Sequence, residues 1–109
     1  FINISDLIYV RLFINQIIIN RDVKPENILL ESKDVDDLNI KMTDFGFARV
    51  FNPDEGLSDV LGSPLYMAPE IIKEIKYDFR VDVWSVGIIA YILLSGGPPF
   101  RGKSKAEIF

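Results

Sequence analysis

The sequence predicts an α+β fold, mostly helical, with one short β-hairpin. Three observations support this. Two short runs of strand-forming residues, Ile28-Leu29-Leu30 and Ile40-Lys41-Met42, bracket a polar loop, as in a hairpin. A helix-length window from Arg80 to Leu94 is apolar through most of its length, and Gly96-Gly97-Pro98-Pro99 stops it firmly. The balance of 49% hydrophobic and 26% charged residues over 109 positions is that of a globular chain, not a disordered or collagen-like one, and the length allows one domain at most.

The elements follow in chain order. Ile4, Leu7, Ile8 and Leu12 share one helical face, with Ser5 or Asp6 as the cap. Ile17-Ile18-Ile19 reads as a short buried strand or as the end of that helix. Pro25 forbids a helix through the polar segment 20–27. The hairpin loop, Glu31 to Asn39, is acidic. Asp34, Asp36 and Asp37 in it invite a calcium site, but the EF-hand pattern needs Gly at its sixth position and Glu at its twelfth. Counted from Asp34, those positions hold Asn39 and Phe45, so a solvated acidic loop is the better reading.

From Asp44 to Pro69 the chain reads as irregular, punctuated by Gly46, Pro53, Gly56, Gly62 and Pro64. A loop this long within a compact domain is usually functional. Glu70 to Lys76 reads as a short helix opened by Pro69. In the long helix, Val83, Trp84, Ile88, Ile89, Tyr91 and Leu93 are expected in the core. Ser104-Lys105-Ala106-Glu107 has capping-box spacing and opens another helix. No internal repeat is visible.

Several function classes are excluded. With no Cys and no His, a disulfide framework, a Cys/His zinc site and Cys or His nucleophile chemistry are all ruled out. The 12 basic and 16 acidic residues leave a net charge of −4, which argues against nucleic-acid binding because counterion release needs a dense basic patch. Asp6 and Arg11 interrupt the apolar residues of the first stretch, and no small-residue cleavage site follows, so it is not a signal peptide. No apolar run reaches the roughly 18 residues of a membrane span. A cytoplasmic location is the default expectation. Phe1 in place of Met leads to the expectation of a fragment or processed piece.

The chemistry concentrates in Asn20-Arg21-Asp22-Val23-Lys24-Pro25-Glu26-Asn27, followed by Asp44-Phe45-Gly46 and Ala68-Pro69-Glu70. In this order and spacing the motifs resemble the catalytic core of eukaryotic protein kinases, whose pattern sets an Asn five positions after the catalytic Asp. The resemblance runs from about Ile18 to Phe109. It divides the chain into an atypical segment 1–17, with a miscalled exon as one origin, and a partial kinase domain 18–109. The implied fold is a partial, mostly helical protein-kinase C-lobe with the N-lobe absent.

The implied reaction is transfer of the ATP γ-phosphate to Ser or Thr of a protein substrate, with magnesium. Phosphoryl transfer is catalysed mainly by positioning and electrostatic stabilisation, and magnesium takes hard oxygen ligands. By resemblance, Asp22 accepts the substrate hydroxyl proton and Lys24 sets a cation beside the phosphate. Asn27 and Asp44 are the metal ligands, and Leu29 is the apolar floor under the adenine. Lys24, Glu26, Asn27, Leu29 and Asp44 together form the implied cofactor-binding set.

The segment from Asp44 to Glu70 resembles an activation segment. Gly62-Ser63-Pro64-Leu65-Tyr66 matches the part that receives the protein substrate. Ser63 is where Ser/Thr kinases carry a hydroxyl bridging the catalytic Asp and Lys. Many kinases carry a phosphorylated Thr four positions earlier, paired with the Arg beside the catalytic Asp. This chain has Asp59 there, so Asp59 is expected to pair with Arg21 and hold the segment without phosphorylation; Ser58 is the nearby alternative phosphosite. By the same resemblance, Asp82 is a scaffold residue that accepts from catalytic-loop N–H groups. Glu70 is a structural residue whose Arg partner lies outside this chain. Gly62 to Glu107 is most similar to calcium/calmodulin-dependent and calcium-dependent protein kinases.

The sequence departs from the family pattern in two ways. Asn20 replaces the His that stacks on the Phe of Asp-Phe-Gly, here Phe45, which implies a weaker stack and lower activity. The Gly-rich phosphate loop, the ATP-anchoring Lys and its Glu partner are not found in this sequence, so the isolated chain is expected to be inactive. The last helices of the lower lobe are expected to be missing as well, so the long helix, without those neighbours, is expected to expose some apolar side chains. The alternative reading is a catalytically dead remnant or pseudokinase-like binding module. A small-molecule phosphotransferase fits less well with the full activation-segment match.

Overall fold

The computed structural model describes residues 18–34, 36–37 and 39–109. The helix expected over Ile4 to Leu12 lies outside the described residues. Strand β1, Ile18–Ile19, follows directly, and of the two readings of that apolar run the strand is the one found. A 3-10 turn spans Pro25–Asn27, with Pro25 at its first position where a missing N–H costs nothing. Strands β2, Ile28–Leu30, and β3, Ile40–Met42, pair antiparallel with Leu29 opposite Lys41. That is the expected hairpin. In its loop, the Asp34 carboxylate accepts the Asp36 N–H at 3.1 Å, and the Asp37 carboxylate accepts from the Asn39 side chain at 2.7 Å. These are local turn bonds of the kind Asp favours.

The stretch from Asp44 to Pro69 is more ordered than the sequence suggested. Strand β4, Arg49–Val50, pairs antiparallel with β1, with Ile19 opposite Arg49. Leu57 forms an isolated antiparallel bridge with Tyr77. Pro64–Tyr66 makes a second 3-10 turn. Two-residue strands and single bridges carry no periodicity of their own. Only the partner across the fold orders them, so no pattern within the stretch could reveal them.

Helix α1 spans Pro69–Ile72 and is shorter than the expected 70–76. Its end is a Schellman motif. Glu74 takes φ 56°, its N–H donates to Ile71 O at 3.1 Å, and Ile75 N donates to Glu70 O at 3.0 Å. Glycine usually fills this left-handed position, and a Glu there gives no sequence signal. Helix α2, Arg80–Ser95, starts where expected, with the Asp78 carboxylate accepting Arg80 N at 2.9 Å. It ends at Gly96, whose φ of 80° suits a residue without a Cβ. Helix α3, Lys105–Ile108, has the capping-box exchange: Ser104 Oγ accepts Glu107 N at 3.3 Å, and the Glu107 carboxylate accepts Lys103 N at 2.7 Å.

The core gathers Ile19, Leu57, Met67, Ala68, Ile71, Tyr77 and Val81, with Phe51, Ile72, Phe79 and Trp84 packed against it. Each fully buried aliphatic side chain in such a cluster is worth about 1.5–3 kcal/mol. Helix α2 meets the core through Val81, Ser85, Ile88 and Ile89, a single stripe at helical spacing. Val83, Tyr91 and Leu93, expected in the core, are instead 46–64% exposed. The helix is apolar on several faces, so composition could not tell which face is packed. No helix among the described residues is long and apolar enough to cross a membrane.

Candidate active site

The site is built by a loop that leaves β1 and a segment 40 residues further on that folds back over it. Arg21 has φ 68°, in the left-handed region that non-glycine residues rarely enter. Next to that bend, Asn20 N and Arg21 N both donate to one buried carboxylate, Asp82 Oδ2 at 2.8 Å and Oδ1 at 2.9 Å. Burial pushes the Asp82 carboxyl above its usual range, while these two N–H bonds and the Arg21 charge pull it back. The expected scaffold contact is therefore present in the geometry, and it ties α2 to the loop.

Asp22, Lys24 and Ser63 form a closed triangle. Ser63 N and Oγ donate to Asp22 Oδ1 at 3.0 and 2.7 Å. Lys24 Nζ lies 3.0 Å from Asp22 Oδ2 and donates to Ser63 Oγ at 2.9 Å. The hydrogen bond to Asp22 raises the Lys24 ammonium above its ordinary value against the opposing effect of burial, so it stays a cation at neutral pH. Glu26 and Asp44 add smaller electrostatic contributions in the same direction.

Asn27 is buried, and its Nδ2 donates to Asp22 O at 3.0 Å. No described residue donates to its Oδ1. Its backbone carbonyl accepts Thr43 N at 2.8 Å, which brings the end of β3 alongside the loop. Asp44 comes next, exposed, with φ 59° and its Oδ1 accepting Gly46 N at 3.1 Å. Leu29, on the neighbouring β2, is 52% exposed. Asp22, Lys24 and Asn27 are thus joined directly, and Asp44 lies near enough to Lys24 to act on its charge. Glu70 makes no ion pair among the described residues.

Arg21 is the hub of a second cluster. Its Nε donates to Phe47 O at 2.7 Å, and its Nη1 reaches Asp59 Oδ2 at 3.1 Å, the pair the sequence predicted. Gly62 lets the segment lie this close. Its φ is 121°, and a Cβ there would sit 2.6 Å from Arg21 O. Asn20 is buried, and its Oδ1 accepts Asp22 N at 3.0 Å. Its Nδ2 finds no acceptor, the one such buried side-chain atom among the described residues.

The protein kinase domain family model matches residues 9–109. The chain belongs to the protein kinase family. Among curated relatives, serine/threonine-protein kinase ATG1a of Arabidopsis thaliana is 50% identical over 91 residues, covering 84% of this chain and 14% of that protein. Calcium-dependent protein kinase 5 of Oryza sativa subsp. japonica is 50% identical over 92 residues, 84% of this chain and 16% of that protein. Calcium-dependent protein kinase 2 of Arabidopsis thaliana is 49% identical over 92 residues, 84% of this chain and 14% of that protein. The chain therefore spans only 14–16% of the length of these relatives. The resemblance to Ser/Thr kinases, calcium-dependent ones among them, is what these comparisons find.

Within this kinase site, sequence reasoning missed three contributors. Arg49 Nη1 lies 3.1 Å from Asp59 Oδ2, so two guanidinium groups share one carboxylate oxygen. Tyr77 Oη donates to Asp59 O at 2.8 Å and accepts from Arg21 Nη1 at 3.3 Å. Ser85 Oγ donates to Tyr66 O at 2.8 Å, fastening the segment after Ser63 to α2. Arg49 and Tyr77 stand 10 and 18 residues from Asp59 in the chain, with no motif around them. A polar residue inside an apolar helix was the only available signal, and it pointed to Ser85.

Proposed function

We propose that this chain carries the catalytic loop and activation segment of a protein serine/threonine kinase, in the lower lobe of that fold. The reaction is transfer of the ATP γ-phosphate to a Ser or Thr hydroxyl of a protein substrate. The observation that carries this reading is the Asp22–Ser63–Lys24 triangle, which joins the proton acceptor and the cation through a segment hydroxyl. In the reaction the substrate oxygen bonds to phosphorus, ADP leaves, and the hydroxyl proton passes to Asp22. Ser63 fixes the orientation of the Asp22 carboxylate. Lys24 offsets negative charge on the transferring group, and its raised pKa keeps it charged for that task.

Magnesium fits the residues present. Asn27 has an Oδ1 to which no described residue donates, and Asp44 is an exposed carboxylate near Lys24, so both offer hard oxygens. When bound, the ion would neutralise charge on the phosphate oxygens. Leu29, exposed beside Asn27, offers an apolar surface for the adenine. Asp59 stands in for a phosphate on Arg21, so Asp59→Ala in the full gene product should lower transfer even with no upstream kinase supplied.

Binding of magnesium-ATP to this chain, measured by calorimetry beside Asp44→Ala, tests the reading. The variant should bind at least about tenfold more weakly, as loss of a carboxylate ligand requires. Equal binding by both would sink the assignment. A second reading, a non-catalytic binding module, is favoured by one observation, the orphaned Nδ2 of Asn20. Nucleotide binding without any phosphoryl transfer by the full gene product would select it.

A further inference from the structure

Asp59 is 47% exposed at its side chain and Arg49 59%, while Arg21, the other partner of Asp59, is 5% exposed. The Arg49–Asp59 pair, wet on both sides, is worth little, about 0–1 kcal/mol, and both pairs hold the Asp59 side chain, not its main chain. They do not explain why the backbone around Ser58 sits where it does. Tyr77 does. It is 5% exposed and grips this stretch at two levels. Its main chain exchanges two hydrogen bonds with Leu57, Leu57 N to Tyr77 O at 3.1 Å and Tyr77 N to Leu57 O at 2.8 Å. Its phenol, two residues along, donates to Asp59 O at 2.8 Å and accepts from Arg21 Nη1 at 3.3 Å.

We infer that Tyr77 is a positioning residue: its hydroxyl sets the main chain at Asp59 against Arg21, and through it the path to Ser63. A phenol carries a single proton. Here it is spent on the Asp59 carbonyl, which leaves the oxygen lone pairs to meet the Arg21 guanidinium. The hydroxyl therefore links backbone of the segment to side chain of the catalytic loop, whatever the state of the Asp59 carboxylate. Gly62 completes the path, since a Cβ there would sit 2.6 Å from Arg21 O and only glycine leaves that space open.

Tyr77→Phe tests this, because it keeps the buried ring and removes only the hydroxyl. The Asp59 carbonyl it abandons is on an exposed residue and can bond to water. Amide hydrogen exchange of this chain should show Leu57 and Ser63 exchanging about tenfold faster, with the β2–β3 ladder and the melting temperature unchanged. Tyr91→Phe, on the exposed side of α2, should change neither. Unaltered exchange at Leu57 and Ser63, or an equal rise throughout the chain, overturns the inference. The effect on turnover rests on the kinase reading proposed for this site. In the full gene product, kcat should fall about tenfold with the KM for ATP unchanged. A parent protein that transfers no phosphate would refute the kinase reading while exchange still decides the role of Tyr77; an active parent matched in kcat by Tyr77→Phe would refute the positioning role.

Discussion

The two ends of helix α2 share one apolar sequence and live in different surroundings. At the N-terminal end, Asp82 is buried and bound to the backbone of a loop 61 and 62 residues away, and Ser85 holds Tyr66 O. At the C-terminal end, Leu93 is 64% exposed and Leu94 90% exposed, and the Ser95 hydroxyl bonds within its own neighbourhood, to Tyr91 O and to Gly97 O and N. Burial alone does not separate the ends by importance. The difference lies in which end makes contacts distant in sequence. Polar groups buried at the first end have no water to fall back on, so each must be matched by a specific partner.

Substitutions can break that contrast. The largest effect is expected at Asp82→Ala, which strands the Asn20 and Arg21 N–H groups in a buried place. A loss of about 3 kcal/mol should appear as a lower urea midpoint. A loss under about 1 kcal/mol would mean that water reaches those donors. Asp59→Ala should be milder for stability, within about 1 kcal/mol, because the Asp59 carboxylate is half-exposed and buried Arg21 keeps Phe47 O and Tyr77 Oη as acceptors. At the far end, Leu94→Gln should change stability by less than about 0.5 kcal/mol, as for an ordinary surface position. A drop of 2 kcal/mol there would show that this end of the helix is not the loose one.

Asn20 sharpens the contrast from inside the tight region. It is as buried as Ile71 in the core, yet one of its polar atoms is unmatched. Its Oδ1 supports the Asp22 N–H, so the residue contributes to loop shape even while its amide nitrogen carries a desolvation cost. The sequence marked position 20 as a departure from the family pattern. It did not foresee that the same side chain would bind the catalytic-loop backbone.

Much of the site was legible because its residues carry chemistry and stand close together in the chain. Asp22, Lys24 and Asn27 lie within six consecutive positions, and the Asp59–Arg21 pair was implied by the resemblance to kinases. The hairpin and α2 were legible from residue type and stop signals. Strand β4 and the Leu57–Tyr77 bridge were not, because one or two residues cannot show a period. Arg49 and Tyr77 were hidden for a related reason: an Arg and a Tyr gain a role here only from what stands opposite them.

The sequence by itself determined the family, the long helix with its Gly96 stop, and the set of oxygen- and nitrogen-bearing side chains proposed to do the chemistry. Local residue type suffices for these, since caps, turns and motifs act over a few positions. Tertiary structure decided which face of α2 is packed, which polar groups are matched, and what holds Asp59 beside Arg21. Those outcomes depend on groups tens of residues apart meeting at hydrogen-bond distance. No local pattern encodes such a meeting; it follows only when the core closes around Ile19, Ala68 and Val81.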